Sequence, residues 1–199
     1  MRAAAAPSET APPRRFLNPA DGCWHIQVTQ GDTYVTNDQS EVLTTILGSC
    51  IAACIRDRQA GIGGMNHFLL PSGKGGDQGA TRYGVNAMEI LINDILKRGG
   101  QRARLEAKLF GGASVIAGLS DVGSSNVTFA ERFLADEGIA LVGGNVRGMA
   151  ARRIQYWPVS GRARQQILTG KGSAQIVERE LAAAKPVRDD QDSNDVELF

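Results

Sequence analysis

Apolar and polar positions divide the chain into short β-like runs before residue 70 and a long helical repeat after residue 80. Ile26, Val28, Tyr34 and Val35 predict a strand or hairpin around Gly31-Asp32, and Val42 to Leu47 predicts a further strand. Cys50 to Ile55 continues as a strongly apolar strand ended by Arg56-Asp57-Arg58, and Gly64 to Leu70 as another, stopped by Pro71. From Thr81 to Lys97 the spacing of Val85, Met88, Leu91, Ile92, Ile95 and Leu96 is helical, with Gly99-Gly100 as the stop. Ala107 to Phe110 reads as a strand running into Gly111-Gly112-Ala113. Ser124-Ser125-Asn126 reads as the cap of a second helix through Glu137, with Val127, Ala130, Phe133 and Leu134 on its inner face. Ile139 to Val142, Arg153 to Val159 and Ala163 to Leu168 read as strands, and Gln175 to Ala184 as an amphipathic helix.

This order lacks regular βαβ alternation. It predicts an α+β fold, a single domain whose mixed β-sheet, β-sandwich-like core is flanked by helices. Pro7, Pro12, Pro13 and Pro19 deny regular hydrogen bonding to the N-terminus, so residues 1–23 read as a disordered arm, 24–184 as the folded domain and 185–199 as an acidic tail. The tail's Asp195-Val196-Glu197-Leu198-Phe199 reads as a frayed end ahead of a docking peptide. At 199 residues and 42% apolar content one sizeable core can be buried, and two would be crowded.

Net charge of +1 leaves no global electrostatic footprint for nucleic acid. Charge is uneven, however: five arginines and no acids lie between Arg147 and Arg164, whereas Asp189 to Glu197 holds five acids. No apolar stretch approaches the ~20 residues that span a bilayer, so no direct membrane insertion is expected. Three cysteines, an odd number, and no apolar leader before Cys23 point to a reduced, cytoplasmic compartment.

The chemistry-bearing candidates are a thiol and an imidazole. Cys50 ends a Leu47-Gly48-Ser49-Cys50 turn, and His67 follows 17 residues later within Gly63-Gly64-Met65-Asn66-His67. Gly-rich punctuation would let the two converge as nucleophile and base. Free cysteine is usually a small core residue, and Cys54, between Ala53 and Ile55, suits that role better. Cys23 has no visible partner, and His25 beside Trp24 reads as packing or surface. A turn at Gly48-Ser49 can leave backbone N–H groups to hold an oxyanion. Thr44 or Thr45 could orient the ring, and spacing does not choose between them. Two histidines and three dispersed cysteines make no ligand cluster, so neither metal nor cofactor is expected.

Thr44-Thr45-Ile46-Leu47-Gly48-Ser49-Cys50, Gly63 to Pro71, Arg82-Tyr83-Gly84 and Ala107 to Ala113 together resemble the chemoreceptor glutamine deamidases, the CheD family of bacterial chemotaxis, over about Tyr34 to Leu168. The resemblance implies a protein-glutamine glutaminase with Cys50 as nucleophile, His67 as general base and acid, and Thr44 as the orienting residue, on a fold similar to the catalytic domain of cytotoxic necrotizing factors. It implies cytoplasmic helices of chemoreceptors as substrate and a CheC-type phosphatase as a possible partner. The Ser72 to Gly79 loop and the Arg147 to Arg164 region are candidate contacts to acidic receptor helices, against an equal expectation of solvated surface. Two competing readings are a non-catalytic module that binds a phosphatase or adaptor, and another papain-like amidase or transglutaminase activity in which an amine rather than water resolves the thioester.

Overall fold

The computed structural model describes residues 13–70, 76–115 and 122–169. Ten strands and two helices follow one another: β1 Arg15–Asn18, β2 Cys23–Gln27, β3 Thr33–Thr36, β4 Glu41–Leu47, β5 Ile51–Asp57, β6 Ile62–Phe68, α1 Gly76–Lys97, β7 Leu105–Gly111, α2 Val122–Asp136, β8 Ala140–Val146, β9 Arg152–Trp157 and β10 Arg162–Ile167. The fold is α+β, but its strands form two sheets rather than one. The first has the order β1-β2-β4-β9-β10 and the second β3-β6-β5-β7-β8. Both are mixed, because β2 runs parallel to β4 and β7 parallel to β8 while the other pairs are antiparallel.

The apolar run of β5 explains the layering. Side chains of a strand alternate between faces, so a strand covered on both sides is apolar throughout. Ala52 and Cys54 face Leu43, Leu47, Ile154 and Tyr156 of the first sheet. Ile51, Ala53 and Ile55 face the helices, against Met88, Leu91, Ile92 and Val127. The order of layers is therefore sheet, sheet, helices, with the second sheet buried on both faces. β6 is buried along its whole length for the same reason. Fully burying side chains such as Leu91 and Ile92 contributes roughly 1.5–3 kcal/mol each.

Several expectations are corrected. β2 and β3 do not form a hairpin: β2 pairs with β4 in one sheet, β3 with β6 in the other, and residues 28–32 cross between them. The predicted arm ends earlier than expected, because Arg15–Asn18 pairs antiparallel with Cys23–Gln27 despite Pro19. Pro19 lies just past the strand, where no ladder bond is required of it. The first helix begins at Gly76, taking in the end of the expected Ser72 to Gly79 loop. The second begins at Val122, so Asn126 is inside it and its amide is not a cap. The expected Gln175 to Ala184 helix and the acidic tail lie outside the described residues.

Candidate active site

β5 and β6 pair antiparallel with Ala52 opposite His67 and Ile51 opposite Phe68. Cys50, one residue before β5, shares the Ala52 and Cys54 face. It is thus the diagonal cross-strand neighbour of His67, on the face that looks toward the first sheet. Diagonal neighbours lie about 7–8 Å apart, within reach of long side chains. Cys50 and His67 are 7% and 6% exposed, so both sit just below the surface between the two sheets.

The imidazole is held from the first sheet. Thr45 Oγ1 lies 2.9 Å from His67 Nδ1, and the Val28 carbonyl oxygen 3.4 Å from the same nitrogen. Thr44, expected from the resemblance to orient the ring, does not meet it: its hydroxyl donates to the Ile26 carbonyl at 3.3 Å. Strand parity is the reason. Leu43, Thr45 and Leu47 point inward, and Thr44 points to the other face. A carbonyl can only accept, so the Val28 contact places the proton on Nδ1 and the lone pair on Nε2. Nε2 is buried with no hydrogen-bond partner among the described residues. Burial pushes the His67 pKa down to about 4, with the Val28 carbonyl and the Asp32 charge opposing it. The ring is therefore a neutral base near pH 7.

The turn that carries Cys50 is tied down by its carbonyls. Ala113 N–H donates to Gly48 O at 2.8 Å, Gly112 N–H to Cys50 O at 2.8 Å, and Asn126 Nδ2 to Ser49 O at 3.0 Å. Asn126 Oδ1 also accepts from Leu70 N–H at 2.8 Å, so one buried amide on α2 joins the turn to the end of β6. Gly111 has φ +106°, and a Cβ there would collide with the Cys50 carbonyl oxygen. The Gly-Gly motif exists because the β7 backbone must approach the turn this closely. All three carbonyls of the Gly48-Ser49-Cys50 turn are thus engaged, which fixes the backbone on which Cys50 sits.

A third arm went unseen in the sequence. In the crossing segment 28–32, Gly31 N–H donates to His67 O at 2.7 Å and His67 N–H to Asp32 O at 3.1 Å. Just before them Gln30 reaches the sulfur, the Cys50 thiol donating to Gln30 Oε1 at 3.5 Å. Reading this segment as a hairpin turn hid it. The Leu43-Thr45-Leu47 spacing, by contrast, carried a usable signal that Thr45 faces the interior.

The remaining candidates separate cleanly. Cys54 is fully buried, and burial pushes its thiol pKa far up, so it stays protonated and inert. His25 is bound to Asp21 Oδ2 at 2.8 Å and packs at a tilt against the Phe16 ring on the β1–β2 pair. Among the described residues no group of three or more His, Cys, Asp or Glu is placed to hold a metal ion, and no helix is long and apolar enough to cross a membrane. The arginine-rich region does not form one face. Arg147 pairs with Glu131 at 2.9 Å and Arg152 is buried against backbone carbonyls of residues 145–150, whereas Arg153, Arg162 and Arg164 are exposed on the first sheet.

Comparison with known proteins agrees with the motifs. The family model for CheD chemotactic sensory transduction matches residues 69–166. A protein of Caulobacter vibrioides named "Probable chemoreceptor glutamine deamidase CheD" is 57% identical over 176 residues, 87% of this chain and 92% of that protein. Proteins of the same name from Rhizobium johnstonii and Agrobacterium fabrum are 54% and 52% identical, covering 81% and 87% of this chain and 91% and 96% of theirs. Among solved structures, the DUF152 protein NMB0706 of Neisseria meningitidis is 14% identical with a TM-score of 0.40, covering 59% of this chain and 53% of that one, a likeness too partial to carry an argument.

Proposed function

The chain belongs to the CheD family, and we propose that it hydrolyses side-chain amides of glutamines on chemoreceptors to glutamate, releasing ammonia through a Cys50 thioester. The observation that carries the mechanism is the buried, partnerless Nε2 of a neutral His67 placed diagonally to Cys50 on one sheet face.

In this reading His67 Nε2 takes the thiol proton as the Cys50 sulfur attacks the glutamine Cδ. Charge that develops on the amide oxygen is stabilised by N–H groups of the Gly48-Ser49-Cys50 turn. Thr45 and Val28 keep the ring in the orientation and tautomer that leave Nε2 basic, and Asp32 favours the transient imidazolium. His67 returns the proton to the departing nitrogen, which leaves as ammonia. Water, deprotonated by the same Nε2, hydrolyses the thioester and releases the carboxylate. No step needs a cofactor. Exchange of an amide for a carboxylate changes charge on a receptor helix and so alters helix packing.

The reading places the protein in the cytoplasm, where receptor signalling helices are reached, on a scaffold like that of cytotoxic necrotizing factor catalytic domains. The exposed Arg153, Arg162 and Arg164 are the contacts offered to acidic receptor helices, and a CheC-type phosphatase is the further partner to be sought. The test is to incubate the chain with receptor cytoplasmic fragments and locate amide-to-acid conversion by peptide mass spectrometry. Conversion that vanishes in Cys50→Ala and in His67→Ala, both folded, is the expected result. Full conversion by Cys50→Ala refutes the mechanism.

A further inference from the structure

Gln30 is a glutamine whose carboxamide already touches the nucleophile. Its side chain is exposed, yet its position is fixed by the backbone on either side. Gly31 N–H and Asp32 O are both bonded to the main chain of His67, the Val28 carbonyl is at the ring, and Thr29 N–H donates to Asp32 Oδ2 at 2.9 Å. The segment that orients the base therefore also delivers an amide to the sulfur, with Oε1 3.5 Å from Sγ.

A primary amide carries an acceptor and two donors at the same reach, exchanged by rotation about the terminal torsion. In the resting thiol the acceptor is the right partner, because S–H donates to it. Once His67 has removed that proton the sulfur can no longer donate, and an oxygen facing a thiolate is repelled. Rotation then brings Nε2–H toward the anion. When the sulfur has attacked a substrate amide, the negative charge moves to the adjoining oxygen, close to the same donor.

We propose that Gln30 is a catalytic residue, whose Nε2–H donates to the thiolate and then to the oxyanion of the tetrahedral intermediate. This rests on the reading of Cys50 as nucleophile. Gln30 gains and loses no proton: the thiol proton passes to His67 and on to ammonia, and the carbon–nitrogen bond that breaks belongs to the substrate. An exposed donor that must rotate contributes less than a fixed backbone donor. Its removal is expected to lower kcat roughly ten- to a hundredfold, below the ~10²–10³ for a preorganised oxyanion-hole donor.

The variants are Gln30→Ala, which removes the amide, and Gln30→Glu, which keeps its shape but only accepts. Both should keep the wild-type melting temperature, since the side chain is exposed and belongs to neither core cluster. Turnover of a receptor cytoplasmic fragment should show kcat reduced with KM little changed in Gln30→Ala and reduced further in Gln30→Glu. Iodoacetamide labelling of Cys50, read by mass spectrometry, should shift to higher pH in Gln30→Glu, a readout independent of turnover. Wild-type kcat in Gln30→Ala overturns the proposal, and a raised kcat/KM overturns it in favour of a side chain that merely obstructs the site. Cys50→Ala separates the two levels: if it still turns over, the nucleophile assignment fails and this one with it, whereas an inactive Cys50→Ala beside a fully active Gln30→Ala removes Gln30 alone.

Discussion

Thr45 Oγ1 lies 2.9 Å from His67 Nδ1, a hydrogen bond that joins β4 of one sheet to β6 of the other through the candidate base. Thr44, its neighbour, spends its hydroxyl on Ile26 at the opposite face. Thr45→Val keeps the shape and removes the bond, leaving only the longer Val28 contact to orient the ring. A loss of about 1–2 kcal/mol corresponds to a roughly five- to thirtyfold fall in kcat/KM. Thr44→Val should leave kcat/KM within about twofold, because its loss is one surface-facing bond. Equal losses in both variants, measured on a receptor fragment, contradict the assignment.

Thiol labelling tests the distinction between two cysteines four residues apart. Cys54 is fully buried with its pKa pushed far up, while Cys50 is at the rim of the space between the sheets. Native protein treated with iodoacetamide at pH 8 should be alkylated at Cys50 and not at Cys54, and activity should fall in step with Cys50 modification. Denaturant should expose Cys54 to the same reagent. Rapid native labelling of Cys54 is incompatible with its place between the sheets.

How much of this was legible in the sequence depends on whether one strand's alternation sufficed. Cys50 and His67 could be singled out because Gly-bearing turns flank them, and β5 and β6 were each legible as strands from local pattern, although β5 runs on through Arg56 and Asp57 and β6 begins at Ile62 and ends at Phe68. Thr45 could have been chosen from Leu43 and Leu47, which show which parity is inward. That Thr45 meets His67 could not, because the contact joins strands of different sheets and depends on a layering that no local pattern encodes. The same holds for Gln30. Its segment has the glycine of a hairpin turn, and only the pairing of β2 with β4 and β3 with β6 reveals a crossover passing the sulfur. Asn126 has the residue type of a cap, but the helix begins earlier and the amide is drawn to Ser49 and Leu70.

Acid sensitivity should carry the signature of His67. Its folded pKa is depressed to about 4 from an ordinary 6.5, so between those values the unfolded chain binds a proton that the folded chain refuses. Stability from this source is intact above about pH 6.5 and declines as pH falls toward 4, with a slope of at most about 1.4 kcal/mol per pH unit. Replacing the ring by Gln abolishes that titration. Urea unfolding at pH 7, 5.5 and 4.5 should therefore show a smaller pH-dependent loss for His67→Gln than for the wild type. Parallel curves for the two proteins would mean that the ring takes its proton as readily folded as unfolded.

Gly111→Ala tests whether the Cys50 turn is held by backbone approach. At φ +106° an L-residue is strained by about 1–3 kcal/mol, and its Cβ must also push on the Cys50 carbonyl oxygen, which accepts from Gly112 N–H at 2.8 Å. Relief requires the turn to move, and a turn displaced by even an ångström costs an enzyme about a hundredfold in rate. The variant should unfold at a lower temperature and lose kcat by more than its stability deficit explains at assay temperature, where nearly all of it is still folded. Gly138, also at positive φ but with nothing within 4 Å of the position a Cβ would take, is the control: Gly138→Ala carries the backbone strain alone, far from Cys50. It should lower the melting temperature and leave kcat unchanged. If Gly111→Ala and Gly138→Ala reduce kcat equally, close approach at the turn has no part in positioning the sulfur.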